Sequence, residues 1–130
     1  MTFQINGSEP DFKNKSCLMP LGVRFKTGRV KATPKARLLL AKYGFQKQDL
    51  IARYRTGDWS DVPDAQSRRN ELALTDGSKV FAWYRLVERT WLKSTPYSQH
   101  KHLPTVWIET SSMNSVGTRA ATTIFCAEDL

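Results

Sequence analysis

Arg53-Tyr54-Arg55-Thr56-Gly57-Asp58-Trp59-Ser60-Asp61 gathers two arginines, a tyrosine, a tryptophan and two carboxylates around a turn glycine. Arginine presents a rigid fork of donors that matches phosphate oxygens. Tyr54 and Trp59 present flat faces on which a base or a guanidinium can stack. In that use Arg53 and Arg55 hold phosphate, Trp59 stacks a base, and Tyr54 is a candidate for proton transfer. The same residues also admit a structural use, with Asp58 and Asp61 capping a following helix and Trp59 filling the core.

Two further groups could carry chemistry. Glu109, Thr110, Ser112, Arg119, Thr122 and Thr123 place a carboxylate, hydroxyls and an arginine in one C-terminal region. Such a set could hold a phosphate and move a proton, with Glu109 and Arg119 in those roles. Threonines also favour strands simply because they are β-branched. The stretch from Val87 to Pro104 interleaves Arg89, Trp91, Lys93, Tyr97, His100, Lys101 and His102. Stacking combined with charge suits single-stranded nucleic acid. A solvated insertion or a protein-docking finger fits the same composition.

These groups need elements to position them. Thr33-Pro34 is a helix start, because threonine caps and proline at the first helical position lacks only an N–H that would be unpaired anyway. The helix runs to about Tyr43, where Gly44 can end it. Ala36, Leu39, Leu40 and Tyr43 form its apolar stripe, while Lys35 and Lys42 share another face, toward water or a polyanion. A shorter helix fits Gln48 to Tyr54. A third fits Pro63 or Asp64 to Thr75, closed by Gly77, with Arg68 and Arg69 exposed. Arg29 to Ala32 allows a short strand. The runs 80–86, 105–110 and 122–126 are rich in aromatic and branched residues and read as strands. Helices followed by strands predict an α+β fold, with N-terminal helices packed on a C-terminal antiparallel sheet. Residues 1–16 read as a flexible segment and 17–130 as a single domain.

The chain has 130 residues and a net charge of +8. From Arg24 to Arg55 ten Lys/Arg face one acid, Asp49, a local net of +9. From Thr56 to Glu88 six acids face four bases. Such an asymmetry predicts a one-sided positive field that draws phosphate polymers, anionic membranes or an acidic protein face. No apolar run approaches the roughly 20 residues a membrane-spanning helix needs, and residues 1–15 lack a signal-peptide core. A soluble cytoplasmic protein is expected, with no membrane association. Cys17 and Cys126 lie far apart and outside any CxxC motif, so two reduced thiols are expected. His100 and His102 have no cysteine spaced as a zinc partner, and no metal or other cofactor is expected. The phosphate-binding loops of NTPases and dehydrogenases and the HExxH and GxSxG motifs are missing, which disfavours those classes.

From Leu21 onward the chain resembles a family of small proteins of bacterial plasmids and other mobile elements. The resemblance rests on Leu21-Gly22, Val30, Ala32-Thr33-Pro34, Arg53, Gly57-Asp58-Trp59, Asn70, Ala73-Leu74, Gly77, Tyr84, Val106-Trp107-Ile108, Thr110 and Thr122-Thr123-Ile124. It covers most of the chain, and Gly-Asp-Trp is its most specific part. Tyr54 stands where the family has histidine, Ser60 replaces a glycine, and the 87–104 loop is longer. More distantly, the order of elements is similar to barnase, RelE and colicin-type ribonucleases, which cleave RNA without metal from a sheet face. That similarity implies nucleic acid, RNA ahead of DNA, as the partner.

Two functions follow as expectations. The first is a nucleic-acid-directed protein, in its sharpest form a metal-independent ribonuclease-like toxin. Its catalytic set would be Tyr54, Glu109 and Arg119. Its binding set would be Arg53, Arg55, Trp59, Lys35, Lys42, Arg89, Trp91, Lys93 and Lys101. The second is a non-enzymatic counter-defence inhibitor of the anti-CRISPR, anti-restriction or conjugation-inhibition type, docking on the acidic face of a nucleic-acid-processing protein. Both require the cations of the first half to gather beside the Arg53–Asp61 stretch.

Overall fold

The computed structural model describes residues 22–130. The flexible segment expected at 1–16, and Cys17, lie outside them. Among the described residues no helix is long and apolar enough to cross a membrane.

The chain enters a short strand, β1 (Arg29–Ala32), and turns into α1 (Pro34–Lys42). The Thr33 hydroxyl accepts the Ala36 amide at 3.1 Å, which is the cap that Thr-Pro foretold. Helices α2 (Lys47–Arg55) and α3 (Asp64–Asp76) follow. Gly77 ends α3 in the left-handed region at φ 79° and returns its amide to the Ala73 carbonyl. Strand β2 (Val80–Arg85) leads into α4 (Arg89–Ser94) and a 3-10 turn, Tyr97–His102. Then come β3 (Thr105–Thr110), β4 (Ala121–Phe125) and a closing 3-10 turn, Ala127–Asp129. The connection from 87 to 104 is therefore largely helical.

The sheet order is β1-β4-β3-β2. β2, β3 and β4 are antiparallel, as expected of the C-terminal strands, while β1 adds a parallel edge beside β4. The fold is α+β. Alternation splits the sheet into two faces. Val80, Ala82, Tyr84, Val106, Ile108, Thr110, Thr122 and Ile124 point inward and are essentially inaccessible. Ala36 and Leu40 of α1, Leu50, Ile51 and Tyr54 of α2, and Ala73 of α3 complete that core with Phe25, Trp59 and Val62.

The free edge of β2 is covered by side chains. Asn70 accepts the Phe81 amide at 3.2 Å and donates to the Phe81 carbonyl at 2.8 Å. Asp61 accepts the Arg85 amide at 2.9 Å. Three backbone polar groups of this edge strand, the Phe81 amide and carbonyl and the Arg85 amide, are thus satisfied without a fifth strand.

Candidate nucleic-acid interface

The Arg53–Asp61 stretch folds into a brace rather than a binding edge. Tyr54 is fully buried, and its hydroxyl lies 2.7 Å from Thr110 Oγ1. Thr110 lies 2.6 Å from Thr122 Oγ1, and Thr122 donates to the Thr27 carbonyl at 2.7 Å. Each hydroxyl has one proton, so the chain runs one way: Tyr54 to Thr110 to Thr122 to Thr27. Burial pushes the Tyr54 phenol well above its ordinary pKa, more than the Thr110 hydrogen bond and the Arg119 charge lower it. The Tyr54 hydroxyl is enclosed in the core and engaged by Thr110.

Trp59 is 7% exposed and packs edge-on against Tyr54, with ring centroids 6.0 Å apart. Its indole is sealed against Phe25 and does not offer a face to a base. Arg53 lies over the Tyr84 ring at 4.5 Å and donates to Asp58 at 2.8 Å. Asp58 and Asp61 do not cap α3, whose N-terminal residue Pro63 has no side-chain cap. Asp61 instead accepts Arg89 at 2.7 Å and the Arg85 amide, which joins the loop to β2 and α4. Arg24, at the start of the basic segment, is clamped by both oxygens of Glu71 at 2.7 Å. Arg55 is half-buried, and its backbone carbonyl accepts the Arg24 amide. Of the cations expected to converge beside this stretch, Arg24 and Arg53 are thus taken up in ion pairs and Arg55 is partly covered.

Arg119 and Glu109 have other partners than Tyr54. Arg119 is 5% exposed and donates to the carbonyls of Ala73 at 2.8 Å, Ser78 at 2.6 Å and Ser111 at 3.1 Å. Those contacts tie the end of α3 to the loop between β3 and β4. Glu109 is on the opposite sheet face from Thr110 and pairs with Lys79 at 3.0 Å. The three expected catalytic side chains do not share a site. Among the described residues no group of three His, Cys, Asp or Glu is placed to hold a metal ion. Cys126 is a free, buried thiol, and burial together with Glu128 and Asp129 pushes its pKa up to about 11.

The outer sheet face is where aromatic and cationic side chains meet. The register places Trp83, Trp107 and Phe125 in one row, and Phe81, Glu109, Thr123 and Lys31 in the next. Phe81, Trp83, Trp107 and Phe125 are each half-buried. Their rings run in series: Trp83 to Phe81 at 5.6 Å, Phe81 to Phe125 at 6.5 Å, and Phe125 to Trp107 at 5.4 Å. At the end of this platform β4 has already stopped. There a cleft of about 640 Å³ opens over Trp83, Trp107, Arg85 and Thr105. Leu39, Lys42 and Tyr43 of α1 border it with Glu128, and so do Lys101, His102, Leu103 and Pro104. Arg85 donates to Thr105 Oγ1 at 2.7 Å. Burial lowers the pKa of its guanidinium, which the nearby Tyr97 hydroxyl and Asp61 partly offset.

Two of the expected binding residues, Lys42 and Lys101, are exposed at this cleft. Lys35 is near it but donates to the Glu128 carbonyl at 2.8 Å. Arg89 is held by Asp61 and by Ser60 at 2.8 Å, while Trp91, 49% exposed, and Lys93 stand on α4. Sequence reasoning passed over Phe81, Trp83, Arg85 and Trp107 as binding residues. The signal was the unusual run of large residues at both parities of β2. Comparison with protein-family models, with curated proteins and with solved structures returned no match.

Proposed function

We propose that this protein binds single-stranded nucleic acid on the outer face of its sheet and does so without cleaving it through Tyr54, Glu109 or Arg119. The observation that carries the reading is the aromatic series Trp83–Phe81–Phe125–Trp107 ending in a cleft bordered by Lys42, Lys101 and Arg85. Base stacking on an aromatic side chain contributes roughly 1–3 kcal/mol, and it is available only where bases are unpaired. Cations beside the rings supply the phosphate contacts and a salt-dependent affinity. The basic net charge of the chain supports the same partner. A mobile-element protein with this property could act on a host or rival nucleic-acid machine by occupying its nucleic acid.

The test is fluorescence anisotropy of a labelled single-stranded RNA across a salt series. If three cations make contact, the logarithm of affinity falls against the logarithm of salt with a slope of about −2. A Lys42→Glu/Lys101→Glu protein should bind about tenfold more weakly or worse at low salt. No binding at low salt, or full binding by the double variant, overturns the proposal. A stoichiometric protein partner recovered from lysate after nuclease treatment, with no RNA binding, would favour the inhibitor reading instead.

A further inference from the structure

The positive charge of the outer face is not confined to the cleft. The register sets Lys31 beside Thr123 and Arg29 beside Ala121, on the face that carries Trp107 and Phe125. Both cations are exposed, on the edge strand of the sheet. Among the described residues neither is held in an ion pair, whereas Arg24, Arg53 and Arg89 are. Toward the other edge, Glu109 lies beside Phe81 and its carboxylate is paired with Lys79 at 3.0 Å. Phe125 stacks on Phe81 across β3, away from β1, with centroids 6.5 Å apart. The open cations of this face thus lie at two places, the cleft beyond the end of β4 and the β1 edge, with the rings between them. From Trp107, Arg29 is about 13 Å along the strands and about 10 Å across them, given a rise of about 3.3 Å per residue and a strand spacing of about 4.8 Å.

Resting on the nucleic-acid reading above, we infer that Arg29 and Lys31 form a second phosphate-binding end of the same site. One single strand then crosses the sheet diagonally, from the cleft over Trp107 and Phe125 to the β1 edge. Bases stack on the rings, while phosphates meet Lys42 and Lys101 at one end and Lys31 and Arg29 at the other. About five nucleotides are needed to engage both ends, within the range of single-strand sites of this kind. The Glu109 carboxylate repels phosphate, so the backbone of the strand passes on its β4 side. Charged residues on an edge strand also discourage pairing with another chain. That use by itself would leave nucleic-acid affinity indifferent to Arg29 and Lys31, and strand length separates the two.

The experiment measures anisotropy of labelled single-stranded RNA of about three and about ten nucleotides, lengths below and above that span. The fold of each variant is checked by circular dichroism and thermal melting. With wild type the salt slope should be about −2 for the shorter strand and about −3.5 for the longer, three contacts against five at roughly 0.7 each. Arg29→Glu/Lys31→Glu should weaken the longer strand about tenfold at low salt and return its slope to about −2, while the shorter strand changes by less than about threefold. Arg68→Glu/Arg69→Glu makes the same change of net charge at exposed positions of α3, whose Ala73 packs into the core on the inner face, and should leave both slopes as they are. Glu109→Gln should tighten the longer strand by about twofold or more. A longer-strand slope unaltered by Arg29→Glu/Lys31→Glu overturns this inference. So does an equal loss for the two lengths, a loss matched by the α3 variant, or weaker binding by Glu109→Gln. In each case binding that depends on Lys42 and Lys101 would leave the broader reading standing. Failure of wild type to bind either strand overturns the two together.

Discussion

The Trp59 indole donates its Nε1–H to Glu71 Oε2 at 2.7 Å, and the same carboxylate holds Arg24 through both of its oxygens. One glutamate thus links the loop after α2, helix α3 and the N-terminal segment. The tryptophan of the Gly-Asp-Trp motif is part of the frame, with its polar edge satisfied and its ring inside.

Trp59→Phe should therefore lower stability and leave binding alone. The loss combines a smaller ring in the core with an abandoned hydrogen bond, about 1–2 kcal/mol. Urea denaturation measures it. Oligonucleotide affinity within twofold of wild type is the expected companion result, about what an unaltered surface allows. A large loss of affinity in a stable Trp59→Phe protein would return the indole to the binding surface.

Acid should unfold the protein partly through this clamp. The Arg24 hydrogen bonds first, and then that of Trp59, hold the Glu71 carboxyl below its ordinary pKa. The Thr33 hydroxyl and the Cys126 amide do the same for Asp129. A depressed folded-state pKa stabilises the protein above the unfolded value, roughly 4, and that contribution is lost as pH falls through the folded value. Melting temperature should be flat from neutrality down to about pH 5 as far as these groups decide it, then fall. Glu71→Gln should have a lower plateau and a shallower acid limb. An acid limb unchanged in Glu71→Gln would remove the clamp from this account.

Tyr54→Phe isolates the buried hydroxyl chain. Thr110 keeps its donation to Thr122, so no buried donor is left unpaired; the Thr110 contact at 2.7 Å and the longer one to the Val80 carbonyl at 3.2 Å are lost. The expected cost is about 1 kcal/mol. Any RNA-directed activity should persist in full. Abolition of activity in a folded Tyr54→Phe protein, read in an RNA cleavage assay with EDTA, would restore the ribonuclease interpretation.

Arg119→Ala should be far more damaging than most arginine substitutions. It takes the guanidinium from the Ser78 and Ser111 carbonyls and from the Ala73 carbonyl, which keeps the Gly77 amide, for a loss of about 3 kcal/mol. Arg119→Lys, with its compact ammonium, should recover only part of it. Hydrogen exchange should report the damage locally, at the Met113 amide, which donates to Gly77 at 2.8 Å in the same junction. Equal protection in both proteins would contradict this role for the guanidinium.

Several residues quoted for the plasmid-family resemblance build the frame, while Trp107 and Thr123 of the same set stand on the outer sheet face. Asn70 covers the edge of β2, Thr110 and Thr122 form the hydroxyl chain, and Tyr84 lies beneath Arg53 and donates to the Asp58 carbonyl at 2.9 Å. None of these reaches the open face. A motif of arginine, tyrosine and tryptophan looks alike whether its groups face a ligand or each other, because composition does not state partners.

Sequence alone determined what local physics controls. The Thr33 cap, Pro34 at the helix start, Gly77 in the left-handed region and the alternating strands were all legible, because each depends on residues within a turn or two of one another. Tertiary structure decided which side of the sheet is covered. In Val80-Phe81-Ala82-Trp83-Tyr84-Arg85 both parities are apolar, so alternation says which residues share a face and not which face the helices cover. It also decided where the positive charge goes, since Arg24 meets Glu71 across 47 positions of sequence and a count of charges contains no distances.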